Sequence, residues 1–301
     1  PPPPDLLSCC NNIMPSPAFA RLPPLLPLLL LSGILSSDAT TGGRASCSAS
    51  AALIADRHAF DRDGYLHVPG FFSGAELARL KRYAGEIERE LETIGGQMMY
   101  FERSRLDNTS RILSRVEDFT RRHAGMHALL ADSGRSALME FTSSIVRLDN
   151  LVLFKDKINL KLPGGDGFRA HQDSAAGWER YVDWFISVAV FIDDATVENG
   201  CIEVAAGQHT KGLLGEVWTP IDQLHLEYTS IEANAGDLIL FDSYVPHRST
   251  ANFSPKPRRV LIATYNDVRA GDHRDRYFQD KRDNFPPDCE RQDGVEYRYK
   301  V

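Results

Sequence analysis

Leu77, Leu80, Ala84, Ile87 and Leu91 recur at helical spacing, so a helix packing one face against the rest of the protein is predicted there. Ser73 and Glu76 form the S-x-x-E pattern of a capping box, which opens a helix by satisfying its free N–H groups, and Gly95-Gly96 is expected to end it. Ahead of it, Asp63-Gly64-Tyr65-Leu66-His67-Val68-Pro69-Gly70 reads as a short strand closing on a Pro/Gly turn, with folded sequence expected from near Ala59-Phe60. Further helical stretches are predicted around Arg121–Leu130 and Arg135–Phe141.

From about Asn150 the pattern changes. Leu151–Leu162, Trp184–Ile192, Cys201–Val204, Leu238–Phe241 and Val260–Tyr265 are runs of β-branched, aliphatic and aromatic residues and read as strands. Gly164-Gly165-Asp166-Gly167, Glu198-Asn199-Gly200 and Ala235-Gly236-Asp237 read as turns, the first of them as a hairpin turn. Helices first and strands later predict a mainly β fold, a sandwich or barrel buttressed by flanking helices. No internal repeat is visible, and the charged tail after Asp267 is expected to be irregular.

Composition adds a boundary near residue 50. Nine of the 17 prolines fall in the first 27 residues, and Cys9, Cys10 and Cys47 are three of the five cysteines. From Met14 the chain runs through Arg21 and the apolar Leu22–Leu35 into a Ser/Thr/Gly/Ala tract, which resembles a signal or bipartite targeting peptide. An upstream sequence read in error would give the same composition. Residues 1–51 are therefore set apart as a targeting-like or disordered segment, and residues 52–301 are expected to form one domain. Leu22–Leu35 is short and proline-interrupted, a poor membrane span. Cys201 and Cys289 are too few for a disulfide framework and suit a reducing compartment, cytoplasmic or organellar. A net charge of −7 over 301 residues argues against a nucleic-acid partner, though not against an anionic small-molecule substrate.

The candidate chemistry begins at His171-Gln172-Asp173. An H-x-D triplet in an extended chain puts an imidazole and a carboxylate on one side, ready to share a cation. Alone it means little, since His273-Arg274-Asp275 repeats it; that second copy lies in the polar tail with no later histidine and is expected to be surface. After the first copy comes His247, just past a candidate strand, and then Arg258. Two histidines and a carboxylate make the facial triad of non-haem Fe(II) oxygenases, and an arginine on the adjoining strand offers a planar fork to a dicarboxylate. Strand alternation puts only one of Arg258 and Arg259 inward.

The segments Asp63–Ser73, Ile158–Trp178 (INLKLPGGDGFRAHQDSAAGW), Phe191–His209 (FIDDATVENGCIEVAAGQH) and Gly236–Asn266, with GDLILFDSYVPHRS and RRVLIATYN, resemble the phytanoyl-CoA dioxygenase family of Fe(II)- and 2-oxoglutarate-dependent oxygenases. The likeness spans about Phe60 to Asp267. It implies a double-stranded β-helix core with His171, Asp173 and His247 as iron ligands. It also implies Arg258 on the far carboxylate of 2-oxoglutarate, with Ser249 and Arg115 as further contacts. Ser249 as a turn residue, and Arg115 paired with Glu117 or Asp118, are the plainer alternatives. The reaction implied uses O2, releases succinate and CO2, and hydroxylates a small-molecule substrate. Related halogenases carry a small residue in place of the acid, so Asp173 favours hydroxylation. The tail Gly271–Tyr277, with Asp280-Lys281-Arg282 and Phe285–Asp288, and the run Asp193–Gly200 resemble the branch that hydroxylates 2-aminoethylphosphonate beside phosphorus.

Lys157, Asn159 and Lys161 alternate along one strand face, and Lys161, Asn159 and Arg169 are the substrate candidates. Trp178 and Trp184 read as core. A hydroxylase of an acyl-CoA or other small metabolite, and a non-catalytic β-roll that holds metal or senses 2-oxoglutarate, are the competing readings.

Overall fold

A computed structural model describes residues 44–132, 134 and 136–297. The targeting-like segment before Arg44 lies outside the described residues, as does Arg135 at the head of one predicted helix. The helices are α1 (Arg44–Asp63), α2 (Gly74–Glu88), α3 (Ala124–Leu130), α4 (Ala137–Val146) and α5 (Arg274–Asn284). The strands are β1 (Tyr65–Val68), β2 (Met98–Arg103), β3 (Arg111–Glu117), β4 (Leu151–Lys161), β5 (Phe168–His171), β6 (Ile186–Phe191), β7 (Ile202–Val204), β8 (Thr229–Ile231), β9 (Leu238–Asp242), β10 (His247–Ser249) and β11 (Arg258–Asp267).

Two antiparallel sheets face each other. The larger runs β1-β9-β6-β11-β4-β3-β2 and the smaller β5-β10-β7-β8. Strand alternation divides β11 between two cores. Val260 and Ile262 point between the sheets, where they meet Phe191, Ile202, Val204 and Phe241. Leu261 and Ala263 point the other way, onto Leu80, Ala84, Met126, Leu138 and Ile145 of the helices. Central strands covered on both faces read as unbroken apolar runs, which is why β6 and β9 were visible in the sequence. Among the described residues no helix is long and apolar enough to cross a membrane.

Several expectations need correction. Helix α1 begins at Arg44, ahead of Ala59-Phe60. Helix α2 ends at Glu88, whose carboxylate accepts a hydrogen bond from Arg259 (3.0 Å), and the chain leaves the helix there with Leu91 82% exposed. The capping box does not form: the Ser73 hydroxyl makes no cap bond, and the Ser73 carbonyl accepts from the Glu76 and Leu77 N–H groups instead. Gly164–Gly167 is not a hairpin turn, because it carries the chain from β4 in one sheet to β5 in the other. Gly167 is needed at that crossing, since a Cβ there would lie 2.4 Å from the Ser249 carbonyl oxygen.

Strands β2 and β3 were missed, as Arg103, Arg111 and Arg115 break up their apolar pattern. The tail contains a helix, α5, which buries Tyr277 and Phe278 in an aromatic cluster with Phe154, Trp178 and Phe185. Arg274 is not a surface residue: it is buried between Asp118 (3.0 Å) and Asp156 (2.5 Å), so an ion-pair network rather than an apolar stripe anchors the helix. Trp178 is core, and Trp184 packs half-buried against the separate core beneath the helices, its indole N–H donating to Asp242 (2.6 Å).

Candidate active site

The two histidines meet because β5 and β10 pair antiparallel with His247 directly opposite His171. Side chains on one rung of such a pair lie side by side, and the ring centroids are 4.3 Å apart. Two residues after His171 the chain turns into the short 3-10 helix Asp173–Ala176, which brings the Asp173 carboxylate to the same point. One donor atom from each of His171, Asp173 and His247 can be chosen so that all lie within 4.8 Å of one another, the one such group of three among the described residues.

Each side chain is held in the state a cation needs. His171 Nδ1 lies 2.7 Å from the Arg169 carbonyl and His247 Nδ1 3.0 Å from the Val245 carbonyl. A carbonyl only accepts, so each Nδ1 keeps its proton and each Nε2 its lone pair. Burial, then the neighbouring His247, pushes His171 down to about 3; burial lowers His247 as well, so both rings are neutral near pH 7. Burial alone would push Asp173 up, but Lys155, His247 and Lys157 outweigh it and hold the carboxyl well below the usual range. The Ser187 hydroxyl donates to Asp173 Oδ2 (2.9 Å) and lies 3.0 Å from the Thr264 hydroxyl, which fixes the carboxylate's orientation. Two neutral imidazoles and one buried carboxylate fit an Fe(II) ion with coordination positions to spare.

Arg258 and Arg259 resolve as alternation demands. Arg259 faces the helices and is held by Asp193 (2.6 Å) and Glu88 (3.0 Å). Arg258 is 2% exposed and lines a cavity of about 40 Å³ shared with all three of the clustered residues. One of its terminal nitrogens donates to the Gly200 carbonyl (2.7 Å), whereas its buried Nε has no hydrogen-bond partner among the described residues. Opposite it on β4, Lys161 donates to the Ser249 hydroxyl (2.7 Å), the Thr250 carbonyl (2.5 Å) and the Gly200 carbonyl (3.2 Å). Burial first and then Arg258 push Lys161 down to about 6, while burial lowers Arg258 to about 10. A buried guanidinium with an unsatisfied N–H, beside a lysine that a bound anion would help to protonate, suits the far carboxylate of a dicarboxylate such as 2-oxoglutarate.

The other sequence candidates sit around this point. Asn159 is buried, lines the same cavity, and its side-chain carbonyl has no hydrogen-bond partner among the described residues. It also lines a larger space of about 520 Å³ that includes His171, Arg115, Lys161 and Arg169. Arg115 lies 2.7 Å from Glu117 and stacks over Tyr100 at 4.5 Å, so the plainer pairing is present and the guanidinium still reaches the larger cavity. Arg169 is exposed on the rim with its guanidinium on Asp222 (2.8 Å). His273 lies outside the cluster, its Nε2 2.9 Å from the Ala270 carbonyl.

Sequence reading missed four groups. Ser187 and Thr264 show only as small polar residues within apolar strands. Lys155 has the same strand parity as Lys157, Asn159 and Lys161, and extending that alternation by one step would have found it. Lys281 comes from the tail that was read as irregular; its ammonium lies 2.5 Å from buried Glu117. Burial would push Glu117 up, but Lys281, Arg115 and Lys155 draw it down to about 2.

A profile of the phytanoyl-CoA dioxygenase family matches residues 60–260. A 2-aminoethylphosphonate dioxygenase from the uncultured bacterium HF130_AEPn_1 is 37% identical over 240 residues, 78% of this chain and 89% of that relative. A methylphosphonate hydroxylase from Gimesia maris is 32% identical over 75% of this chain and 85% of its own length. In fold, the chain resembles EctD from S. alaskensis, solved with 2-oxoglutarate and 5-hydroxyectoine, at a TM-score of 0.59 and 23% identity, covering 71% of this chain and 76% of that one. The facing sheets are thus a double-stranded β-helix, and the chain belongs to the phytanoyl-CoA dioxygenase family of iron- and 2-oxoglutarate-dependent dioxygenases.

Proposed function

We propose that this dioxygenase hydroxylates 2-aminoethylphosphonate at the carbon next to phosphorus, with His171, Asp173 and His247 as the iron ligands. The observation that carries the reading is the pairing of that triad with Arg258, in a chain 37% identical to a 2-aminoethylphosphonate dioxygenase. A concentration of basic side chains around the site supports an anionic substrate: Arg115, Lys155, Lys157 and Lys281 gather about Glu117 and Asp173. The acyl-CoA reading has no comparable support, and relatives named as a dioxygenase and a hydroxylase at 37% and 32% identity favour catalysis over a β-roll that only holds metal or senses 2-oxoglutarate.

Bound Fe(II) with 2-oxoglutarate and O2 supplies the oxidation: one oxygen atom enters the substrate C–H bond as hydroxyl, and the other leaves in succinate as CO2 is released. The protein's part is placement. The Arg169 and Val245 carbonyls keep both Nδ1 atoms protonated, so the Nε2 lone pairs are left to hold the metal. Ser187 holds Asp173 Oδ2 and leaves Oδ1 free of that bond. Arg258 would receive the far carboxylate through its unsatisfied Nε, with Ser249 lining the same cavity. Lys161, offered by sequence as a substrate contact, is taken up at this cosubstrate end by Ser249 and two backbone carbonyls. Arg115 and Asn159 face the space between the two ends, and Arg169 sits at its mouth.

The test is succinate release from 2-oxoglutarate with Fe(II) and O2, with and without 2-aminoethylphosphonate, followed by mass detection of the hydroxylated product. Strong stimulation with a product 16 Da heavier is expected. Release that ignores the phosphonate but responds to an acyl-CoA would overturn the substrate. A smaller prediction concerns Ser187→Ala. Without the hydroxyl that orients Asp173, iron affinity is expected to fall about 10-fold, read by Fe(II) titration.

A further inference from the structure

Strand β4 carries lysines at its middle and at its end on one face, and only the end has been used. Lys161 and Arg258, directly opposite each other, make the cosubstrate end. Six residues earlier on the same face, about 20 Å away at the rise of an extended strand, stands Lys155. Lys157 lies between them and lines the cavity of the metal cluster.

Lys155 is 6% exposed, yet its ammonium makes no hydrogen bond or ion pair among the described residues. Its one close contact is the Trp178 ring, 4.0 Å away. The register between β11 and β4 skips Phe154, a bulge that lets Phe154 and Lys155 both reach the aromatic cluster of Trp178 and Tyr277. Lys155 lines a space of about 450 Å³ whose other walls include Trp178, Tyr277, Lys281 and the acids Asp280 and Glu296, Asp280 accepting from the Tyr181 hydroxyl (2.6 Å). Burial pushes Lys155 well below the usual lysine range and Lys157 pushes it further, so an anion at this place would stabilise both. A buried ammonium with no carboxylate in hydrogen-bond reach is costly unless a ligand supplies an anion.

We infer that Lys155 and Lys157, backed by Lys281, hold the phosphonate of the substrate, so that the cosubstrate anion binds at the end of β4 and the substrate anion at its middle. This rests on the proposed phosphonate chemistry. It is distinct from the family's arginine contact to 2-oxoglutarate, because it assigns the second anion to a different set of cations. Trp178 and Tyr277 would close the site against water and strengthen each charge contact there.

The experiment measures KM and kcat for 2-aminoethylphosphonate and for 2-oxoglutarate in the wild-type protein, Lys155→Met and Lys161→Met. Lys155→Met is expected to raise the phosphonate KM at least ~30-fold, the loss typical of removing one partner of a buried charge pair, and to move the 2-oxoglutarate KM by less than ~3-fold. Lys161→Met is expected to do the reverse. An unchanged phosphonate KM in Lys155→Met, or a rise in its 2-oxoglutarate KM instead, overturns the assignment while leaving the hydroxylase reading intact. If the wild-type protein ignores 2-aminoethylphosphonate, the substrate reading fails and takes this inference with it. Should Lys155→Met not fold, the half-buried Lys157→Met reads the same split, with the same outcomes for and against.

Discussion

His171→Ala is expected to abolish 2-aminoethylphosphonate-stimulated succinate release, by about 10³-fold or more, as several kcal/mol of metal-supplied stabilisation are lost. The histidine shares its rung with His247, and its neutral tautomer is set by the Arg169 carbonyl, so no neighbouring group can take its place. The measurement is succinate by chromatography alongside iron content after dialysis against Fe(II). Loss of turnover together with loss of stoichiometric iron is the expected result. A variant that binds iron fully and still turns over at near wild-type rate would remove His171 from the ligand set. The second histidine triplet gives an internal control: His273→Ala lies outside the cluster and is expected to retain activity.

Arg258→Met should act differently, through the cosubstrate. Truncating one partner of a buried charge pair costs about 2–5 kcal/mol, so the 2-oxoglutarate KM is expected to rise ~30-fold or more. Arg259→Met tests the register directly. Its guanidinium is held by Asp193 and Glu88 on the helix side of the sheet, so the cost there falls on thermal stability and not on the 2-oxoglutarate KM. Equal effects of the two variants on KM would mean that strand parity does not separate their roles.

Much of this site was legible because its parts follow local rules. Arg258 differs from Arg259 only by strand parity, which follows from a period of two, and the H-x-D spacing marks the right pair even though Asp173 reaches His171 through the turn into its 3-10 helix. The apolar runs of β6 and β9 were visible because both faces of each strand are buried. What was hidden depends on partners distant in sequence. Helix α5 has no apolar stripe; Arg274 is anchored by Asp118 and Asp156, more than 100 residues away. Strand β3 buries Glu117 because Lys281 arrives from that same helix. The capping box failed because a pattern of side chains does not ensure that the hydroxyl turns toward the helix.

The late position of α5 has an evolutionary consequence. The helix contributes Tyr277, Asp280 and Lys281 to the cavity that holds Lys155 and no residue to the one that holds the metal cluster. Mutation within one short, charged helix can therefore reshape what the enzyme accepts while the oxidising apparatus, built from β4, β5, β10 and β11, stays under separate selection. Divergence in such a lineage should accumulate as exchanged tails on an inherited engine.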